Sequence, residues 1–268
     1  RLLATLMLAA GPAVLADAQP PASAVAYTFR YERAGADHVT VEIAPAGGVA
    51  EARALVMPRA IPMGYGEQRY DAFVTDVTAV DAGGRRTAAE REEGPRWRLP
   101  AGTQRIGYRV DLRRLERDVR AASDQSRVRD GYLAALGYSV FAFVDGFETR
   151  PATLRVEGPD GWPVFTTLAP AAPAAVGAVV ARADDYYALA DGQIVMGPRA
   201  VIRRLTDRPA PLYLAAYAEG PVDLDRVGRL AVTAYQRVAD YFGTVPFPHY
   251  TMHQELLTPL SPQHEYGM

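Results

Sequence analysis

The sequence predicts a mainly β chain: an N-terminal antiparallel β-sandwich, then the incomplete start of a second, α+β unit. Three observations carry this. Short stretches alternating apolar and polar residues recur between turn signals from residue 26 to about 167, the pattern of strands with one buried face. A long helical period comes only after them, at 223–242. The chain has 268 residues with 49% hydrophobic and 22% charged, ordinary globular composition and enough for two medium domains.

Arg1 leads an apolar run over 2–10, followed by Gly11, Pro12 and the small residues Ala16 and Ala18 around Asp17. This has the form of a signal peptide and is too short to span a bilayer, so residues 1–18 are expected to be removed and the protein exported, periplasmic or secreted. No Cys follows the site to carry a lipid, so no membrane anchor is expected. Residues 19–24 are Pro-, Ala- and Ser-rich, a linker.

The first domain is expected over 25–183. Residues 26–32 and 38–44 alternate with period two and form a hairpin. A short strand at 55–58 leads into a Gly/Pro loop at 61–70 that carries Tyr65 and Tyr70. Strands follow at 72–80, 97–99 and 105–112, with a charged, exposed stretch at 85–95. Leu112, Leu115 and Val119 recur at i, i+3 and i+7, which inserts one helix. Strands at 139–144, 152–156 and 162–167 complete the sandwich.

The Ala/Pro-rich stretch 169–183 ends the first domain, and the second runs 184–268. Its acidic opening, 184–192, lacks the ligand alternation of a calcium loop, so Asp184, Asp185 and Asp191 are read as cap and turn residues. Strands at 201–205 and 212–217 precede the helix. There Leu224, Val227, Ala231, Ala234, Val238 and Tyr241 mark one face, Asp223 stands at the N-cap and Gly243 at C′. A last strand covers 249–257.

Net charge is −2 with dispersed Arg, so no nucleic-acid footprint and no polybasic membrane patch is present. Asn is absent, which excludes N-glycosylation sequons. Cys is absent too, so any metal would need His and carboxylates. Those gather in one place: His249, His253, Glu255, His264 and Glu265. His249 and His253 are four apart, but Pro246, Pro248 and the alternation put them on a strand, about 13 Å from one another. His264 and Glu265 open a His-Glu-x-x-His pattern, yet Met268 stands where its second His would fall. One reading of such a chain is a non-enzymatic exported β-sandwich binding module, with Tyr65, Tyr70, Tyr186 and Tyr187 as its ligand surface.

Four stretches point elsewhere by their order. They are Pro62, Met63, Gly64 and Tyr65 in a turn; Asp185, Tyr186, Leu189, Asp191, Ile194 and Gly197; Phe242, Gly243, Pro246 and Tyr250; and Tyr266, Gly267 and Met268. In this order they resemble the glycyl aminopeptidase family, gluzincin-type zinc metallopeptidases that often end in a PDZ domain. The turn departs from that family by lacking its Trp and Pro-Gly pair, and Tyr266 replaces the first Gly of its Gly-Gly-Leu-Glu-His strand. The resemblance covers about residues 25–268 and implies that 184–268 begin a thermolysin-like catalytic domain. It further implies a zinc-dependent aminopeptidase acting on peptides, with substrate-backbone contacts from Gly267 and Met268. The zinc-binding helix would lie beyond Met268, so no catalytic residue or metal ligand is expected here, and this chain alone is expected to be inactive.

Overall fold

A computed structural model describes residues 24–60, 67–119 and 124–257. The expected leader, the expected turn at 62–65 and the closing residues 258–268, Gly267 and Met268 included, lie outside the described residues.

Alternation in the sequence becomes a two-faced sheet. Strand β1 (Val25–Arg30) buries Val25, Tyr27 and Phe29, and β2 (His38–Pro45) buries Val39, Val41 and Ile43. With β4 (Val74–Asp81), β5 (Arg86–Ala88), β8 (Thr103–Asp111), β12 (Ala152–Glu157) and β15 (Ala178–Ala183) they form a seven-stranded sheet in the order β15-β12-β1-β2-β8-β4-β5. Its pairs are antiparallel except β1 with β12. The inner face covers two smaller sheets. One is β11-β3-β7-β6, from β3 (Arg53–Val56), β6 (Glu90–Arg91), β7 (Arg96–Leu99) and β11 (Phe143–Val144). The other is β14-β13-β16-β10-β9, from β9 (Arg127–Arg129), β10 (Tyr132–Leu136), β13 (Pro163–Thr166), β14 (Ala175–Val176) and β16 (Gln193–Met196). A continuous core joins all three, with Tyr27, Phe29 and Ile43 meeting Leu55, Trp97, Leu133 and Ile194. Phe141 stands edge-on to Tyr27 and Phe29, at 5.7 and 6.2 Å between ring centres. The chain is mainly β, as its alternation predicts.

Helix α1 (Leu112–Asp118) starts at Asp111, whose side chain accepts from the Arg114 N–H, and it buries Leu112 and Leu115. Of residues 139–144, expected as a strand, only Phe143–Val144 pair as one (β11), while Ser139 and Val140 belong to a helical turn, α2 (Gly137–Val140). Buried apolar runs have no period that separates helix from strand, and here tertiary contacts decide. Gly137 lies against the Ala190 and Gly192 carbonyls, where any Cβ would collide, and the Ser139 hydroxyl donates back to the Leu136 carbonyl at 2.8 Å. The acidic stretch at 184–192 holds a short helix, α3 (Tyr186–Asp191), capped by Asp185, which accepts from the Ala188 N–H at 2.8 Å. Sandwich pairing continues past residue 183, since β16 lies between β13 and β10.

Beyond it a three-stranded sheet, β17-β18-β19, is built from β17 (Val201–Thr206), β18 (Leu212–Ala218) and β19 (Tyr250–Leu256). The parallel pair β18/β19 is joined through α4 (Leu224–Phe242), as a crossover requires. Both ends of α4 are those expected: Asp223 accepts from the Arg226 N–H at 2.9 Å, and Gly243 adopts φ +68°. Gly228 packs on Leu205, while Leu230, Val238, Tyr241 and Phe242 stay 61, 56, 83 and 69% exposed.

Candidate functional site

Strand β18 is buried on both faces. Tyr213, Ala215 and Tyr217 point to the outer side of the five-stranded sheet, where they meet Tyr132, Ala134, Phe165 and Val195 in a second core. Tyr132 and Tyr217 stack at 4.0 Å with an 11° interplanar angle. Parallel register sets Thr251, His253 and Glu255 beside Tyr213, Ala215 and Tyr217, so the period of two sends the His and the Glu into this seam.

A polar chain crosses the seam there. His253 Nδ1 lies 2.9 Å from Gln193 Oε1, and its Nε2 lies 2.9 Å from the Tyr132 hydroxyl, which donates to Glu255 Oε1 at 2.9 Å. Arg127 pairs with the other Glu255 oxygen and lies 3.8 Å from Glu116. Arg129 extends the network to Glu116 at 2.5 Å and Glu219 at 2.9 Å. Burial raises the Tyr132 hydroxyl well above its ordinary value, and the Glu255 charge adds to that, so the phenol keeps its proton. Burial also lowers His253, with Glu255 opposing and Arg127 assisting. This arrangement holds β19 in place; it contains no activated nucleophile.

His249, four residues earlier, bonds the Thr167 carbonyl at 2.8 Å, so the two rings serve different partners. Glu265 and His264 lie outside the described residues. The tyrosine surface expected of a binding module is corrected here. Tyr70 is fully buried with its hydroxyl donating to the Asp124 carbonyl at 2.9 Å, and Tyr186 is buried with its hydroxyl donating to the Phe141 carbonyl at 2.8 Å. Both spend their polar ends inside, because a buried phenol needs a partner. Tyr187 is exposed and Tyr65 lies outside the described residues.

The described residues on either side of 61–66 are tied together by charge. Fully buried Asp71 accepts two bonds from Arg59, at 2.8 and 3.0 Å, and pairs with Arg91. The Gln68 N–H also donates to the Arg59 carbonyl at 2.7 Å.

Residues 26–198 match the family model of the Peptidase M61 N-terminal domain, well over half of the chain. The chain belongs to this family. Its fold is shared by an aminopeptidase N family protein from Idiomarina loihiensis, with a TM-score of 0.73 over 87% of this chain at 19% identity. The M61 chain spans only 39% of that neighbour's length. An M1 zinc metallopeptidase from Deinococcus radiodurans (15% identity, TM-score 0.47, 86% of this chain and 55% of the neighbour) is more distant. So is yeast LTA4 hydrolase, at 12% identity and 0.47, over 87% and 37%. Among curated proteins none matches.

The resemblance drawn from the sequence implies zinc in the parent protein, which raises the question of whether this chain offers ligands. Among the described residues no group of three His, Cys, Asp or Glu could hold a metal ion. His253 has both ring nitrogens engaged, and Glu255 is committed to Tyr132 and Arg127. These residues do not fit a zinc site. Sequence reading missed Arg127, Tyr132 and Gln193, which carry no motif. The one signal available was a His and a Glu two apart, hence on one face of a strand, which marks polar partners across the sheet.

Proposed function

We propose that this chain is the N-terminal portion of an exported zinc-dependent aminopeptidase of the glycyl aminopeptidase type. The observation that carries the reading is the M61 N-terminal match over 26–198, followed directly by the β17-β18-α4-β19 unit. The leader-like residues 1–18 support export, and the motif order through Met268 supports the subfamily. In this reading the sandwich is a platform. Its outer core and the seam network fix β19, the strand from which the chain proceeds to Gly267 and Met268. Those two contribute backbone hydrogen bonds to an extended peptide substrate, and the glycine lets another main chain come close. Zinc and its ligands belong to residues following Met268.

The test is made on the full-length protein with matched peptides bearing free and acetylated N-termini. Release of the first residue from the free peptide alone, abolished by a chelator and restored by zinc, is the expected result. Absence of turnover, or turnover indifferent to chelation, contradicts the proposal. Within an active protein, Gly267→Val is expected to lower kcat/KM by at least about tenfold, or about 1.4 kcal/mol of binding in the transition state. An unchanged value removes Gly267 from the substrate site.

A further inference from the structure

The seam between the five-stranded and three-stranded sheets contains a hydrogen-bond chain whose protons can be counted. Gln193, His253, Tyr132 and Glu255 follow one another at 2.9 Å per step. Tyr132 has a single O–H and two acceptors in reach, Glu255 Oε1 and His253 Nε2. Glu255 is paired through its other oxygen with Arg127, so it enters the chain as a carboxylate, the stronger acceptor. The phenolic proton therefore goes to Glu255. His253 must then donate its Nε2–H to the tyrosine oxygen. Running the chain the other way would make Glu255 the donor, against its ion pair.

A neutral ring of this tautomer presents a lone pair at Nδ1, and Gln193 has to meet it with its NH2 group. A charged ring donates from Nδ1, and Gln193 has to meet it with its carbonyl oxygen, the end that faces Nδ1 in the structure, so the neutral ring requires the amide turned from that placement. The two ends of an amide are nearly the same size, so one half-turn about the last side-chain bond exchanges them while Tyr132, Glu255 and Arg127 stay where they are.

We propose that this chain is a proton-linked latch: the Gln193 amide turns with the charge on His253, and the seam is held most tightly while the ring is neutral. Every element around the ring bears on this. Tyr132 of β10 and Glu255 of β19 face it, Arg127 of β9 stands behind Glu255, and Gln193 of β16 closes the other side. Tyr217 of β18 stacks on Tyr132, and Glu116 of α1 lies beyond Arg127. Burial opposes the charged ring, Arg127 adds to that, and Glu255 compensates only in part. Since the folded value lies below the unfolded one, the latch contributes fully above about pH 6.5 and loses strength as pH falls below it. It stands on contacts among described residues and is independent of the peptidase reading.

Nitrogen-resolved NMR of the full chain, with His253 assigned through a His253→Gln variant, reads the ring directly. The expected result is an Nε2–H tautomer near neutral pH, a midpoint below about 6.5, and Gln193 side-chain amide signals that shift with the same midpoint. Hydrogen exchange of the β18 and β19 amides is expected to accelerate through that midpoint and to lose this dependence in His253→Gln. An Nδ1–H tautomer at neutral pH, or a His253 titration that leaves the Gln193 amide and the seam amides unmoved, overturns the latch. If the variant does not fold, the tautomer, the midpoint and the amide shifts of the unsubstituted chain still decide.

Discussion

Asp71 has no exposed surface and keeps its charge. Burial pushes its carboxyl up, but the Arg59 hydrogen bonds, followed by the charges of Arg59 and Arg91, outweigh that and hold it below the usual carboxylate range. A depressed carboxyl stabilises the fold above about pH 4 and loses that contribution as pH falls toward its folded value. Asp71→Asn keeps the shape and removes the charge. A buried pair broken in this way costs about 3–5 kcal/mol, yet Arg59 and Arg91 are 25 and 44% exposed and can turn to water. The expected loss is therefore about 2 kcal/mol by denaturant unfolding, with a flatter acid limb than in the unsubstituted chain; unchanged stability would show that the ion triad is dispensable. At this scale the sequence is legible where partners are local. Asp111 and Asp223 cap helices three residues ahead of the N–H they serve, and such spacing can be read directly. Asp71 finds Arg59 and Arg91 at separations of 12 and 20 residues, which no window reveals.

Among elements, β18 and α4 are neighbours in sequence with opposite environments. Leu212–Ala218 is buried on both faces over nearly its whole length, whereas α4 buries only Gly228 and exposes an apolar sector at Leu230, Val238 and Tyr241. Hydrogen exchange is expected to be slow in β18, near that of β1 and β2, and to be distinctly faster in α4. Equal protection of both would contradict this packing. The helical period of α4 spans a wide sector, and pattern alone could not say which half meets the sheet. Gly197 shows a second limit of pattern. It adopts φ +121°, and a Cβ there would run into the Gly131 carbonyl. Gly197→Ala combines backbone strain with overpacking and is expected to cost about 2–4 kcal/mol, measured as a lowered unfolding midpoint. The strand expected over 139–144 survives only as Phe143–Val144, for a related reason: the close approach of Gly137 to α3, distant in sequence, sets a helical turn over Gly137–Val140.

For the molecule as a whole, the alternating strands and the late helix made the mainly β architecture legible. The division into three sandwich sheets, the pairing of β16 across residue 183, and the seam beneath β19 were not, because each joins segments far apart in sequence. The seam is also the part of the chain that the proposed role, a platform for the strand leading to Gly267 and Met268, depends on. Zinc binding tests that claim most directly. Equilibrium dialysis of the 268-residue chain is expected to leave it without stoichiometric zinc, while the full-length protein retains one chelator-sensitive zinc per chain together with aminopeptidase turnover. One tightly bound zinc on the 268-residue chain, accompanied by turnover, would contradict it.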